Sequence, residues 1–259
     1  MSTVKFLSDK DCSSCPLSMV SPKVCQETYT YKMTGENKCI VFIGHAPDFY
    51  GATNNLPFYG KQSNIITEAY IKGSKLCEHA DIFFTNMARC CPDHNQKVKN
   101  SEFKLCQFYT NQDLETLSLM YDKICAVLLG VQAVKPFYKY VLGETKSISL
   151  TKAITDNGKQ FTIPQKGIDV TLFSTYHPNM VLFEHNNINT VETHMKMLYD
   201  WTVDVKPESS KPIWVSTITP NQYRKGEYDE IKYRHRDIRS SEEPTKPDSI
   251  SSNQVNLFG

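Results

Sequence analysis

The chain has 259 residues, 40% of them hydrophobic and 11% aromatic, which is ordinary for a globular protein and gives room for one sizeable core or two small ones. Its 29 basic and 28 acidic side chains leave a formal net charge of +1, so nothing global announces a nucleic-acid binder and any such role falls to local patches. The opening "MSTVKFLSDKDC" lacks the apolar core of a signal peptide, and no stretch approaches the roughly 20 apolar residues of a membrane span. A cytoplasmic protein is expected, in which nine cysteines serve as core residues, metal ligands or nucleophiles rather than disulfide partners.

In chain order, the first feature is "DCSSCPLS", where Cys12 and Cys15 form a C-x2-C pair ahead of any strand. That spacing suits a redox dithiol, half a zinc site or half an iron-sulfur site. "KCIVFIGHAP" (38–47) then reads as a buried strand, and "GKQSNIITEAYIKG" from residue 60 as a helix. The same alternation repeats with the strands "ADIFFTNMARCC" (80–91), "DKICAVLLG" (122–130) and "DVTLFSTYHP" (169–178). Between them lie the helical patterns "NSEFKLCQFYTNQDLETLSLMY" from 100 and "GVQAVKPFYKYVL" from 130, the latter interrupted by Pro136. A closing helix fits 188–203, where Val191, Met195, Leu198 and Tyr199 recur at helical spacing.

Strands alternating with helices predict an α/β fold: a three-layer α/β/α sandwich around a mostly parallel four-stranded sheet, formed by one domain over residues 1–205. After Lys206 the texture changes, with Pro207, Pro212 and Pro220 followed by a stretch of mixed charge, and residues 206–259 read as a flexible tail. Its basic cluster "KYRHRDIR" (232–239) is diluted by neighbouring acids and reads as a solvated segment.

Open α/β sheets bind ligands beyond the carboxyl ends of their strands. Those ends carry Gly44-His45-Ala46-Pro47-Asp48, Asn86 through Cys91, Gly130, and Tyr176-His177-Pro178-Asn179. Each residue alone reads equally as a turn or a helix cap, and their convergence on one sheet edge is what points to a site. Cys39 and Cys125 sit inside apolar runs and read as core. A thioredoxin-like dithiol would follow a strand and open a helix, which Cys12 and Cys15 do not. With Cys90 and Cys106 they offer four thiolates, a set that either zinc or an iron-sulfur cluster would accept.

The ordered series C-x2-C, G-x-A-P, P-F-x-G, T-N-x-x-x-C-x-P, C, L-G-x-x-A and T-Y-H-P resembles the iron-sulfur, family 4-like uracil-DNA glycosylases. The resemblance runs from about Cys12 to Asp200 and implies a four-iron, four-sulfur cluster on Cys12, Cys15, Cys90 and Cys106, with Cys91 as a non-ligand. It implies that Phe58 stacks on uracil and that Asn86 accepts from N3–H and donates to O4 of the base. His177 would stabilise charge growing on O2, with backbone N–H groups of the 44–48 loop, Gly44 and Ala46 among them, sharing that role.

The first loop departs from the family pattern: His45 stands where that pattern has Glu, and Asp48 is the loop's only carboxylate. Two readings are open, one in which Asp48 or His45 positions the attacking water and one in which the chain binds DNA without rapid turnover. The Arg-Gly that often precedes the fourth strand is replaced by "TKAITDNGKQ" (151–160), where Lys152 and Lys159 are candidate phosphate contacts. The closing "QVNLFG" matches Q-x-x-L-F and resembles a bacterial sliding-clamp-binding peptide through Gln254, Leu257 and Phe258.

The resulting expectation is a monomeric base-excision-repair glycosylase that hydrolyses the N-glycosidic bond of uracil or a related modified pyrimidine in DNA, in a bacterial or phage-infected cell. The alternative is a non-catalytic uracil- or single-stranded-DNA-binding module of a replisome.

Overall fold

The computed structural model describes residues 12, 15–20, 26–93, 96–184 and 187–205. The expected tail and its peptide Gln254, Leu257 and Phe258 lie outside the described residues.

Six strands form one sheet: β1 (Tyr29–Lys32), β2 (Lys38–Gly44), β3 (Asp81–Asn86), β4 (Lys123–Leu129), β5 (Lys159–Ile163) and β6 (Ile168–Thr175), in the order β1-β3-β2-β4-β6-β5. The four expected strands are β2, β3, β4 and β6, and they pair parallel. The expectation of four strands is corrected by β1 and β5, which close the two edges antiparallel. Both are short and only partly covered. They lack the continuous apolar run that marks a strand buried on both faces, so a search for such runs passes over them.

Seven α-helical segments accompany the sheet among the described residues: α1 (Phe49–Thr53), α2 (Lys61–Ile65), α3 (Asn100–Ser118), α4 (Val131–Pro136), α5 (Leu150–Thr155), α6 (Pro178–Phe183) and α7 (Asn187–Thr202). The period-2 geometry of β2 shows why the central strands are apolar throughout. Cys39, Val41 and Ile43 enter one core with Leu114 and Leu117 of α3 and Val134 of α4, while the intervening Ile40 and Phe42 are buried on the opposite face. That second face is covered by the segment after α2, with Tyr70 and Ile71 fully buried, and by Val191, Met195 and Leu198 of α7. Each such Leu, Ile or Phe contributes roughly 1.5–3 kcal/mol.

Two helices change pitch. Pro136 has no N–H to continue α4, and the chain widens into a π-helical turn at Phe137–Val141. α2 runs on into a longer π-helical segment, Ile66–Lys72, whose Tyr70 Oη donates to the Tyr176 carbonyl at 2.8 Å and so reaches the loop after β6.

The strand order reverses between β2 and β4: the chain steps from β2 outward to β3, then returns to β4 on the other side. The carboxyl ends at this reversal are where an open α/β sheet leaves a crevice. No helix among the described residues is long and apolar enough to cross a membrane.

Candidate active site at the strand ends

In the parallel pairing of β2 with β3, Gly44 lies opposite Asn86. The next residues continue the association, with Met87 N–H donating to the Gly44 carbonyl and Ala88 N–H to the His45 carbonyl, both at 2.9 Å. Position 44 has to be glycine: a Cβ there would overlap Asn86 Oδ1 and lie 2.7 Å from the edge of the Phe58 ring. The amide of Asn86 and the ring of Phe58 therefore meet over bare backbone.

Phe58 is held at φ +57°, a left-handed conformation that bulky residues rarely adopt. Backbone strain of this kind, about 1–3 kcal/mol, collects at functional sites. The ring is buried between Phe84, at 5.8 Å between centroids, and His177, at 6.2 Å.

His177 follows β6 and caps α6, accepting the Asn179 N–H on Nδ1 at 3.2 Å, with Pro178 next in the chain. An accepting Nδ1 leaves the ring proton on Nε2. Burial, followed by the proximity of His45, lowers the pKa of His177 to about 4, so the ring is neutral at pH 7. Its approach depends on Gly130 at the end of β4, whose φ is +77° and where a Cβ would lie 3.0 Å from that of His177. The Gly130 N–H donates to the Thr175 carbonyl at 2.8 Å and ties the two strand ends together.

His45 is half-buried, its ring 5.4 Å from that of Phe103 on α3, and burial lowers its pKa as well. Asp48 is exposed and caps α1 by accepting the Gly51 N–H on Oδ1 at 2.6 Å. One carboxylate oxygen thus has a structural task. Ala46 packs partly buried against the core.

A residue not anticipated from sequence completes the arrangement. Gln26, 2% exposed, donates from Nε2 to the Gly51 carbonyl at 3.1 Å and accepts from Asn86 Nδ2 on Oε1 at 3.0 Å, while its own N–H donates to the Arg89 carbonyl at 2.8 Å. It lies in "CQETYT", which has no periodicity or motif to mark it.

Three of the four cysteines, Cys12, Cys15 and Cys90, pack in one region, and Cys106 lies on α3, a turn before a residue that touches Cys12. Cys15 N–H donates to the Cys12 carbonyl at 2.9 Å, and Ser18 Oγ donates to both cysteine carbonyls, which shapes the C-x2-C turn. Cys15 and Cys90 share the core cluster against which Cys12 packs. Cys106 is buried on α3, and one turn further on Tyr109 Oη lies 3.2 Å from Cys12 Sγ. In donor type this set would suit a cluster that needs four thiolates. Among the described residues no three His, Cys, Asp or Glu side chains converge on a point that would hold a single metal ion. Cys91 donates instead to the Pro92 carbonyl, and burial, then Asp48 and Asp93, raise its thiol pKa.

Lys152 and Lys159, the candidate phosphate contacts, both pair with Asp156 Oδ1, at 2.9 and 2.7 Å. Burial opposes ionisation of Asp156, but hydrogen bonds from Lys159 and Lys152 outweigh it and lower its pKa.

A family model described as "Uracil DNA glycosylase superfamily" matches residues 32–201, well over half of the chain. The chain belongs to that superfamily. Among its relatives, a type-4 uracil-DNA glycosylase of Sulfurisphaera tokodaii is 28% identical over 167 residues, covering 64% of this chain and 71% of that protein. The type-4 uracil-DNA glycosylase of Saccharolobus solfataricus is 24% identical over 73% of this chain and 80% of its own length. That of Thermotoga maritima is 25% identical over 69% of this chain and 81% of its own length. The match spans every strand from β2 to β6, and the site lies on the ends of four of them. These relatives are all named as type-4 uracil-DNA glycosylases.

Proposed function

We propose that this chain is a DNA-repair glycosylase that releases uracil, or a closely related pyrimidine, by hydrolysing its bond to deoxyribose. The observation that carries the reading is the meeting of Phe58, Asn86 and neutral His177 over two positions, 44 and 130, that admit only glycine. A base inside a duplex cannot reach these groups, so the target nucleotide is extruded, at a cost of a few kcal/mol that stacking and edge recognition offset. Phe58 provides the stacking face. Asn86 Oδ1 accepts from N3–H, and the Nδ2 proton not given to Gln26 donates to O4.

As the C1′–N1 bond breaks, its electron pair passes to the base and negative charge grows on O2, where the Nε2–H of His177 donates. A donor already in place stabilises the transition state more than the ground state. Water adds to the sugar at C1′, and the proton it loses is taken up, directly or through solvent, by the uracil anion, leaving an abasic site and free uracil. His45, neutral at pH 7, or the second oxygen of Asp48 orients that water. A four-iron, four-sulfur cluster on Cys12, Cys15, Cys90 and Cys106 would, when bound, cross-link the N-terminal arm to the end of β3 and to α3.

The capping role of Asp48 favours a second reading, in which the chain binds extruded uracil and turns over slowly or not at all. Incubation with a uracil-containing oligonucleotide followed by hot alkali separates the two. Strand cleavage at the uracil is expected with the wild type and is lost in His177→Ala. Binding that Phe58→Ala weakens, with no cleavage by the wild type, would replace the enzyme reading with the binding one.

A further inference from the structure

Beside the base site, between the ends of β2 and β4, lies an open cleft of about 340 Å³. His45 forms part of its wall, one residue from the Gly44 over which Asn86 and Phe58 meet, so the cleft begins where the base site ends. Its position is the reversal of strand order, the place where this class of sheet accommodates ligands.

The charge of the cleft is lopsided. Lys97, Lys135, Lys139 and Lys146 line it, against a single acid, Glu144. All four lysines are exposed, and none forms an ion pair among the described residues. The lysines at 38, 72, 123, 152, 159, 166 and 196 each pair with a carboxylate, and the other described lysines without an ion pair, at 32, 61, 75, 99 and 104, do not line the cleft. Cations crowded around a concavity with little counter-charge attract an anionic ligand, and low-dielectric walls concentrate the field. The first residue of α3, Asn100, also faces the cleft, so the positive end of a 19-residue helix adds to the same field. Glu102 on that helix is occupied in accepting the Lys99 N–H at 2.6 Å.

We infer that this cleft holds the phosphodiester backbone of the DNA strand next to the extruded nucleotide, and that Lys135 and Lys139 are its principal phosphate contacts. The inference deepens the proposed function and rests on its DNA substrate. Lys135 and Lys139 stand four residues apart across the break at Pro136, on the segment between β4 and the 144–147 loop. Lysine heads at this spacing meet successive phosphates as point charges and carry no sequence preference. Lys139 Nζ also lies 5.2 Å from the Tyr140 ring centroid, which holds the cation near the cleft. Lys152 and Lys159 have a carboxylate to share and serve as the internal comparison.

The test is fluorescence anisotropy of labelled single-stranded 20-mers, with and without a central uracil, against the full chain over a series of salt concentrations. Each phosphate neutralised contributes about −0.7 to the slope of log K against log salt for single strands. The double variant Lys135→Gln/Lys139→Gln should bind both oligonucleotides more weakly and with a slope shallower by about 1.4. Lys152→Gln/Lys159→Gln should change the slope by less. An unchanged slope in the first variant, or an equal change in both, overturns the inference. Base release is read in parallel: a shallower slope with no release by the wild type keeps the cleft and removes the enzyme, whereas normal release with an unchanged slope does the reverse. Both substituted pairs are exposed, and an unaltered thermal melt excludes misfolding as the cause.

Discussion

Asn86 is confined to one orientation by a chain of hydrogen bonds whose polarity is set at its far end. The Gly51 carbonyl can only accept, so Gln26 must present Nε2 to it and Oε1 to Asn86. Asn86 then turns Nδ2 toward Gln26 and Oδ1 toward Gly44 and Phe58. An acceptor fixed there suits the N3–H of uracil and opposes the bare N3 of cytosine. Gln26→Leu retains much of the volume and removes the constraint, leaving Asn86 able to flip. Uracil release should fall about tenfold in kcat/KM, the equivalent of roughly 1.4 kcal/mol, and steady-state assays against uracil and cytosine oligonucleotides check it; unchanged values would refute this role for Gln26. The histidines set the pH response. His177 has a folded pKa of about 4 against an ordinary value of 6.5, so the unfolded chain binds the extra proton first. Its contribution to stability is therefore complete above pH 6.5 and lost as pH falls toward 4. Protonating Nδ1 also removes the acceptor that holds the ring on Asn179 N–H. Activity should stay level from pH 8 to 6.5 and decline toward pH 4, a profile that a stopped assay would reveal.

At the level of elements, α3 connects the cysteine junction to the strand that carries Asn86. Arg89, just past β3, pairs with Asp113 of α3 and donates to Thr28 Oγ1, and its guanidinium lies 5.9 Å from the ring centroid of Tyr109, the residue that touches Cys12. The Arg89 and Asp113 side chains are 2% and 7% exposed, so removing one partner leaves a charge buried without compensation. Asp113→Ala should lower stability by about 3–5 kcal/mol, measurable as a shift in the urea midpoint; a loss below about 1 kcal/mol would mean that water reaches the site. The central strands and the long helices α3 and α7 were legible in the sequence because a strand covered on both faces is an unbroken apolar run and a long helix repeats its apolar face several times. α1, α5 and α6 span five or six residues and repeat nothing. β1 and β5 have one neighbour each and little to bury, so their identity comes from the sheet rather than from their own residues.

Over the whole molecule, legibility followed sequence locality. Gly44, Asn86, Gly130 and His177 could be located because each ends a strand, and a parallel sheet delivers all such ends to one edge. Gln26 could not, since its partners at residues 51, 86 and 89 are assembled only by folding. The four lysines of the cleft are scattered from 97 to 146 in a chain of net charge +1, and only the reversal of strand order gathers them. The pairing of Gly44 with Asn86 carries one last consequence. Side chains alternate between the faces of a strand, so a slip of β2 by a single residue would set Ile43 or His45 beside Asn86 and turn the core residues of β2 toward the wrong layer. On the proposed function, such a misassembled chain would keep every group named for recognition and recognise nothing, because selectivity would depend on the alignment of two neighbouring strands. In that reading, the burial that opposes the slip also guards the site's fidelity toward its base, long before any DNA arrives.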